Sequence, residues 1–175
     1  MTRRIVLLRG VNVGGGNRLP MKLFASALDG LGCENVKTYI QSGNAVFDGE
    51  ASASDIAGAV KKAAGFKPHA FVTTAAAFAR TAAASPFARQ ASESGKSVYL
   101  FLLESAPGPE GVEALAALKR PQEDFAIGGK ALYLHTPAGL AGSKIAERID
   151  RALGMKTTAR NWNTVSALLA LAEST

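Results

Sequence analysis

Val36-Lys-Thr-Tyr-Ile-Gln-Ser-Gly-Asn-Ala-Val-Phe47 is the stretch on which the fold turns. Val36, Thr38 and Ile40 alternate with Lys37, Tyr39 and Gln41, the two-residue period of a half-buried strand. Gln41-Ser-Gly-Asn44 carries turn chemistry, and Ala45-Val-Phe47 returns as the partner strand. Upstream, Ile5-Val-Leu-Leu8 is a short apolar run ended by Gly10 and reads as a buried strand. Pro20 then takes the first position of a helix whose Met21, Phe24, Leu28 and Leu31 recur at helical spacing, closed by Gly32. Downstream, Ser54-Asp55 opens a helix with Ile56, Val60 and Ala63-Ala64 that ends at Gly65, and His69-Ala-Phe-Val-Thr73 is a fourth strand. The order β-α-β-β-α-β is that of a ferredoxin-like plait.

The C-terminal half repeats much of this pattern. Ser97-Val-Tyr-Leu-Phe-Leu-Leu103 is a buried strand, Val112, Leu115 and Leu118 mark a helix, and Phe125–Ile127 and Ala131–Leu134 form a hairpin on a Gly128-Gly129 turn. In that register Phe125 faces Leu132 and Ala126 faces Ala131. Ser143 opens a helix through Ile145, Ile149 and Leu153 to Gly154, matching the spacing from Ser54 to Gly65. No fourth strand is legible here; Thr157–Asn163 leads straight into a last helix with Val165, Leu168 and Leu169 on one face. The predicted class is α+β: two tandem ferredoxin-like (α/β plait) subdomains from an internal duplication, with antiparallel sheets and helices on one face. They span residues 1–75 and 97–175, joined by an Ala/Ser-rich helix and connector over 76–96.

Composition narrows the class further. The chain has 175 residues, 47% hydrophobic and 19% charged, enough apolar matter for a core and too little net charge for disorder. No apolar run approaches the roughly 18–20 residues of a spanning helix, so no membrane partner is expected. Cys33 is the single cysteine, which rules out an internal disulfide and suits a reducing, cytoplasmic setting. Charge is unevenly placed: Arg3, Arg4, Arg9, Arg18 and Lys22 precede the first carboxylate, Asp29, and carry five of the six net positive charges. Such clustering fits a footprint for phosphate or nucleic acid, or a solvated basic surface.

Catalytic and metal signatures fail in turn. The glycines after the first strand do not spell a dinucleotide or Walker loop. His69 and His135 have no ligand partners at metal spacing and read as partly buried strand residues, so neither a metal nor a cofactor is expected. Cys33 follows Gly32 at a helix end and reads as packing. Three polar loops remain as candidate ligand sites. The first contains Arg9, Asn12, Gly14, Gly15, Gly16, Asn17 and Arg18. Its glycines leave backbone N–H groups room to turn toward an anion, or serve a βα connection alone. The second contains Gln41, Ser42 and Asn44, whose residue types also suit a plain hairpin turn. The third contains Arg160, Asn161 and Trp162: Asn161 or Asn163 is a natural helix cap, and Trp162 is placed either to stack on a base or to plug the interface between the halves.

Leu7-Leu-Arg-Gly-Val-Asn-Val-Gly-Gly15, Val36–Phe47 and Thr158-Ala-Arg-Asn-Trp-Asn-Thr-Val165 resemble the bacterial domain of unknown function 1697 family over essentially the whole chain. Ala159 stands between Thr158 and Arg160, where the family usually runs Thr directly into Arg. The resemblance implies two ferredoxin-like subdomains and no particular reaction. The expected function is binding of an anionic ligand, a phosphate-bearing small molecule or nucleic acid, through the basic Gly-rich loops. An enzyme with a site between the halves and a non-catalytic assembly module are the alternatives. A plait can bind RNA through exposed sheet aromatics, but only 7% of residues are aromatic and no alternating aromatic run is present.

Overall fold

The computed structural model describes residues 1–174. They form two compact units, Met1–Arg80 together with the C-terminal residues from Ser166, and Thr81–Val165. The first unit runs β1 (Arg3–Leu8), α1 (Met21–Asp29), β2 (Glu34–Tyr39), β3 (Asn44–Asp48), α2 (Ala53–Ala64) and β4 (Ala70–Thr74). Its sheet has the order β2-β3-β1-β4, with every neighbouring pair antiparallel. The uninterrupted apolar run of β1 takes a central place, where both faces are covered: Ile5, Val6, Leu7 and Leu8 are all buried. Val6, Leu8, Ala45 and Phe47 share one core with Phe24 and Leu28 of α1 and Ile56 and Val60 of α2. Full burial of each large side chain there contributes about 1.5–3 kcal/mol.

Helix ends in this unit depart from the sequence expectation in three places. α1 begins at Met21, with Pro20 one residue earlier at the cap position, where its extended ψ of 136° keeps it out of the helix. The cap of α2 is Ser52, not Ser54: its hydroxyl accepts from the Asp55 N–H at 3.1 Å, and the Asp55 carboxylate accepts from the Ser52 N–H at 2.9 Å. This reciprocal box satisfies two otherwise orphaned donors, which Ser54 has no acid in the right position to do. At α1 the helix stops at Asp29, leaving Leu31 outside it and exposed. After β4, Thr74 caps α3 (Ala75–Ala83) through a 3.1 Å bond from the Ala77 N–H.

The second unit holds α4 (Ala88–Glu93), β5 (Val98–Leu103), α5 (Pro109–Leu118), β6 (Asp124–Gly128), β7 (Ala131–His135), α6 (Lys144–Leu153) and β8 (Thr157–Asn161). Its four-stranded antiparallel sheet has the order β6-β7-β5-β8. A fourth strand is therefore present where Thr157-Thr-Ala-Arg-Asn161 showed no alternation. It lies at the sheet edge, where pairing with β5 supplies the order that its polar residues do not advertise. The hairpin turn is Gly129-Lys130, one residue later than expected, because Gly128 still pairs with Ala131. Phe125 consequently faces Leu134 and Ala126 faces Tyr133. The shift preserves side-chain parity, so Phe125, Ile127, Leu132 and Leu134 still share the core with Leu115, Ile145 and Ile149.

α7 (Trp162–Glu173) follows β8 directly. Its C-terminal end is held within the first unit by cations: Arg3 donates to the carbonyls of Leu171 and Ser174 at 3.1 Å each, and Lys37 donates to the Ser174 carbonyl at 3.1 Å. Positive groups at that end meet orphaned carbonyls and the negative pole of the helix dipole.

Candidate functional site

The Gly-rich segment is a small hairpin whose tip is set by backbone sterics. Gly14 and Gly15 have φ of 61° and 77°, both in the left-handed region. Two successive residues of that kind make the mirror-image two-residue turn that suits a β-ribbon, and glycine adopts it without a Cβ penalty. The Gly16 N–H donates to the Val13 carbonyl at 3.2 Å and closes the turn. Below it the Asn12 N–H donates to the Asn17 carbonyl at 3.1 Å. Asn12 and Asn17 themselves have φ of 56° and 49°, a conformation that asparagine tolerates better than most residues.

The Asn12 side chain then ties this hairpin to the second polar loop. Its amide donates to the carbonyls of Leu19 at 2.9 Å and Gln41 at 2.7 Å, while its oxygen accepts from the Leu19 N–H at 2.7 Å. Asn17 donates to the Gly10 carbonyl at 3.3 Å. The structure thus brings the first two predicted loops together into one ledge at an end of the first sheet. Beneath it Gly43, at φ 77°, lies so close to β1 that an added Cβ would meet the Leu8 Cβ at 2.7 Å and Val11 Cγ2 at 3.2 Å. Asn44 is fully buried, its amide donating to the Tyr39 carbonyl at 3.1 Å. Asn12, Asn17, Gly14, Gly15, Gly43 and Asn44 accordingly shape the ledge.

The groups displayed on it are different ones. Arg18 and Gln41 are exposed. Arg9 and Ser42 are half-buried at its base. Two aliphatic side chains that the sequence pattern does not mark as exposed stand there too, Val13 at 69% exposure and Ile40 at 49%. Ile40 also has a φ of 46°, which a β-branched residue adopts only at a cost of about 1–3 kcal/mol. Alternation over residues 36–40 had suggested a core position for Ile40. The left-handed backbone turns the chain out of the ladder after Tyr39 and exposes it.

The third predicted loop belongs to the second unit and is largely regular structure. Arg160 pairs with Leu100 in the β5–β8 ladder, and its guanidinium donates to Thr158 Oγ1 at 2.9 Å and the Ala159 carbonyl at 2.8 Å. Burial pushes its pKa down to about 10, which leaves it charged at neutral pH. Asn161 caps α7, accepting from the Thr164 N–H at 3.0 Å. The Trp162 N–H donates to the Gly95 carbonyl at 2.9 Å, and its side chain is half-buried. Ala159 sits in unbroken ladder opposite Phe101 and packs on the core of the unit.

Among the described residues no group of three or more His, Cys, Asp and Glu side chains is placed to hold a metal, and no helix is long and apolar enough to cross a membrane. Cys33 is buried, and desolvation followed by the nearby Asp29 charge raises its thiol pKa, the opposite of what a nucleophile requires.

The molecule is thus an α+β protein of two four-stranded antiparallel sheets, a fold it shares with the solved structure of the conserved bacterial protein SP0830 from Streptococcus pneumoniae. The two are 20% identical and superpose with a TM-score of 0.69 over 98% of this chain and 99% of that one. The model of the protein family of unknown function DUF1697 matches residues 1–133, and the chain belongs to that family. No curated protein matches it.

Proposed function

We propose that the protein is a cytosolic binding protein that holds an anionic, phosphate-bearing ligand on the ledge built by residues 9–18 and 40–43. The observation that carries this is the Asn12 clamp, which unites the glycine hairpin and the Gln41 turn on the segment holding five cations and no acid before Asp29. Arg18 and Gln41 on the exposed surface, with Arg9 at the base, are the ligand-facing groups. In the second unit, Arg160, Asn161 and Trp162 serve the strand and the helix cap. Two observations favour a small anion over RNA stacked on a sheet. Residues of both sheet faces are buried, among them Ile5, Leu7 and Val46 in the first sheet and Leu100 and Tyr133 in the second. The chain is also poor in aromatics.

We further infer that the two units are ferredoxin-like halves derived from one ancestral unit. In support, the strand orders correspond, and so do the registers: Leu7 opposite Asn44 matches Leu102 opposite Ala131. The helix caps Thr74 and Asn161 also occupy matching positions, opposite Arg4 and Tyr99.

The test is binding of a nucleotide panel, tRNA and single-stranded DNA at two salt concentrations. Affinity is expected to fall as salt rises, since bound phosphates release counterions. Arg9→Gln or Arg18→Gln is expected to weaken binding by about 1–3 kcal/mol, the value of a charge-assisted hydrogen bond. Arg4, ion-paired with Glu50, matters less. If the wild type binds none of these ligands at low salt, the ledge is a plain connector and exposed Val13 and Ile40 point to assembly instead.

A further inference from the structure

We infer that His69 and Arg9 form a paired receptor for a terminal phosphate, so that the ligand of the ledge is a phosphate monoester rather than a phosphodiester; this rests on the anion-binding function proposed above. The β1–β4 ladder ends at Leu8 opposite Ala70, and one step further the Arg9 N–H donates to the His69 carbonyl at 2.9 Å. Leu8 and Ala70 both point into the core under the helices. Alternation therefore sends Arg9 and His69 to the other face of the sheet, side by side, with Leu7 and Phe71 one step behind them. Cβ atoms of directly opposed residues lie about 4.5–5.5 Å apart, close enough for both side chains to reach one tetrahedral anion. The His69 ring rests 5.0 Å from that of Phe71 at 53°, which orients the imidazole, and both Arg9 and His69 are half-exposed. On the other side of β1 the Leu8 N–H donates to the Gly43 carbonyl at 2.9 Å, so the ledge turn lies alongside the pair.

The second unit provides an internal comparison. Its matching backbone bond runs from the Leu103 N–H to the Lys130 carbonyl, and Leu103 lies opposite Thr157 as Leu8 lies opposite Ala70. One step on, the counterparts of Arg9 and His69 are Glu104 and Lys156, with the Lys156 N–H donating to Glu104 Oε2 at 3.1 Å. The same scaffold position thus holds an acid beside a base in one unit and two nitrogen donors in the other. A guanidinium fork with an adjacent imidazole N–H offers more donors than a diester monoanion uses and suits the three free oxygens of a monoester.

The experiment uses the full chain and measures Kd for inorganic phosphate, a nucleoside 5′-monophosphate and a dinucleotide phosphodiester, with the imidazole resonances of His69 followed by NMR. The monophosphate is expected to bind at least tenfold more tightly than the diester. His69→Gln and Arg9→Gln are each expected to lose tenfold or more for the monophosphate, and Lys67→Gln to change it less than twofold. In the wild type the His69 resonances are expected to shift on addition of monophosphate, a readout independent of whether the variants fold. If His69→Gln binds as wild type, or the His69 resonances stay still while Arg18→Gln weakens binding, the paired receptor is refuted and the ledge stands. If the wild type binds none of the three probes and no nucleic acid, the anion-binding function itself is overturned.

Discussion

Gly43→Ala isolates the contact on which the ledge is seated. At φ 77° an alanine pays the left-handed penalty of about 1–2 kcal/mol. Its Cβ would also sit 2.7 Å from the Leu8 Cβ and 3.2 Å from Val11 Cγ2. The Leu8 Cβ is attached to the central strand and cannot swing aside, so relief requires a shift of β1 or of the turn. Overpacking of this kind costs about 1–3 kcal/mol, for a total of about 2–5 kcal/mol. Gly14→Ala is the matched control: φ is 61°, but nothing lies within 4 Å of the new Cβ, so only the conformational penalty of about 1–2 kcal/mol applies. Urea titration is expected to lower the midpoint of both variants at unchanged slope, Gly43→Ala by clearly more. In thermal melts the losses are on the order of 10 °C for Gly43→Ala and 5 °C for Gly14→Ala. Equal destabilisation of the two variants would show that the turn does not press on β1, and the account of the ledge would fail with it.

Asn12→Ala removes three hydrogen bonds near the surface and is expected to cost about 1–3 kcal/mol in urea titration, with faster proteolysis across residues 10–18. Arg3→Gln removes the guanidinium bonds to the Leu171 and Ser174 carbonyls, leaving Lys37 as the remaining cation there, and amide exchange is expected to accelerate over the last turn of α7 while β3 keeps its protection. Asp55 is held below the usual carboxylate range, first by the Ser52 hydroxyl and then by its N–H. Asp48 is lowered chiefly by Asn35, with a smaller contribution from Arg3. Because both folded values are depressed, their stabilisation is present above the ordinary carboxylate pKa and is lost as pH falls through the lowered one. Asp55→Asn is therefore expected to flatten the acid limb of the stability curve, and an unaltered limb would remove the capping box from that account.

The elements with a marked apolar pattern were legible in the sequence: β1 as a continuous run covered on both faces, and the β2–β3 hairpin and the helices through Met21–Leu28 and Ile145–Leu153 by their period. Burial itself writes that periodicity, because each buried side chain must recur on one face. The polar loops were also legible as candidates, since Gly and Asn mark the backbone positions that need left-handed φ. Composition was silent on which of those residues shape the ledge and which are displayed on it. Asn12 became a clamp only when β1 and β3 paired and placed the Gln41 carbonyl within 2.7 Å of it, 29 residues away along the chain. The same distinction separates Ser52 from Ser54, where only hydrogen-bond geometry chooses the cap. β8 was missed because an edge strand takes its order from its neighbour rather than from its own side chains. His69 read as a strand packing residue in one dimension, and only the ladder step beyond Leu8 and Ala70 set it beside Arg9. Local periodicity thus determined the elements, while the long-range registers, which no single segment encodes, decided which polar groups meet.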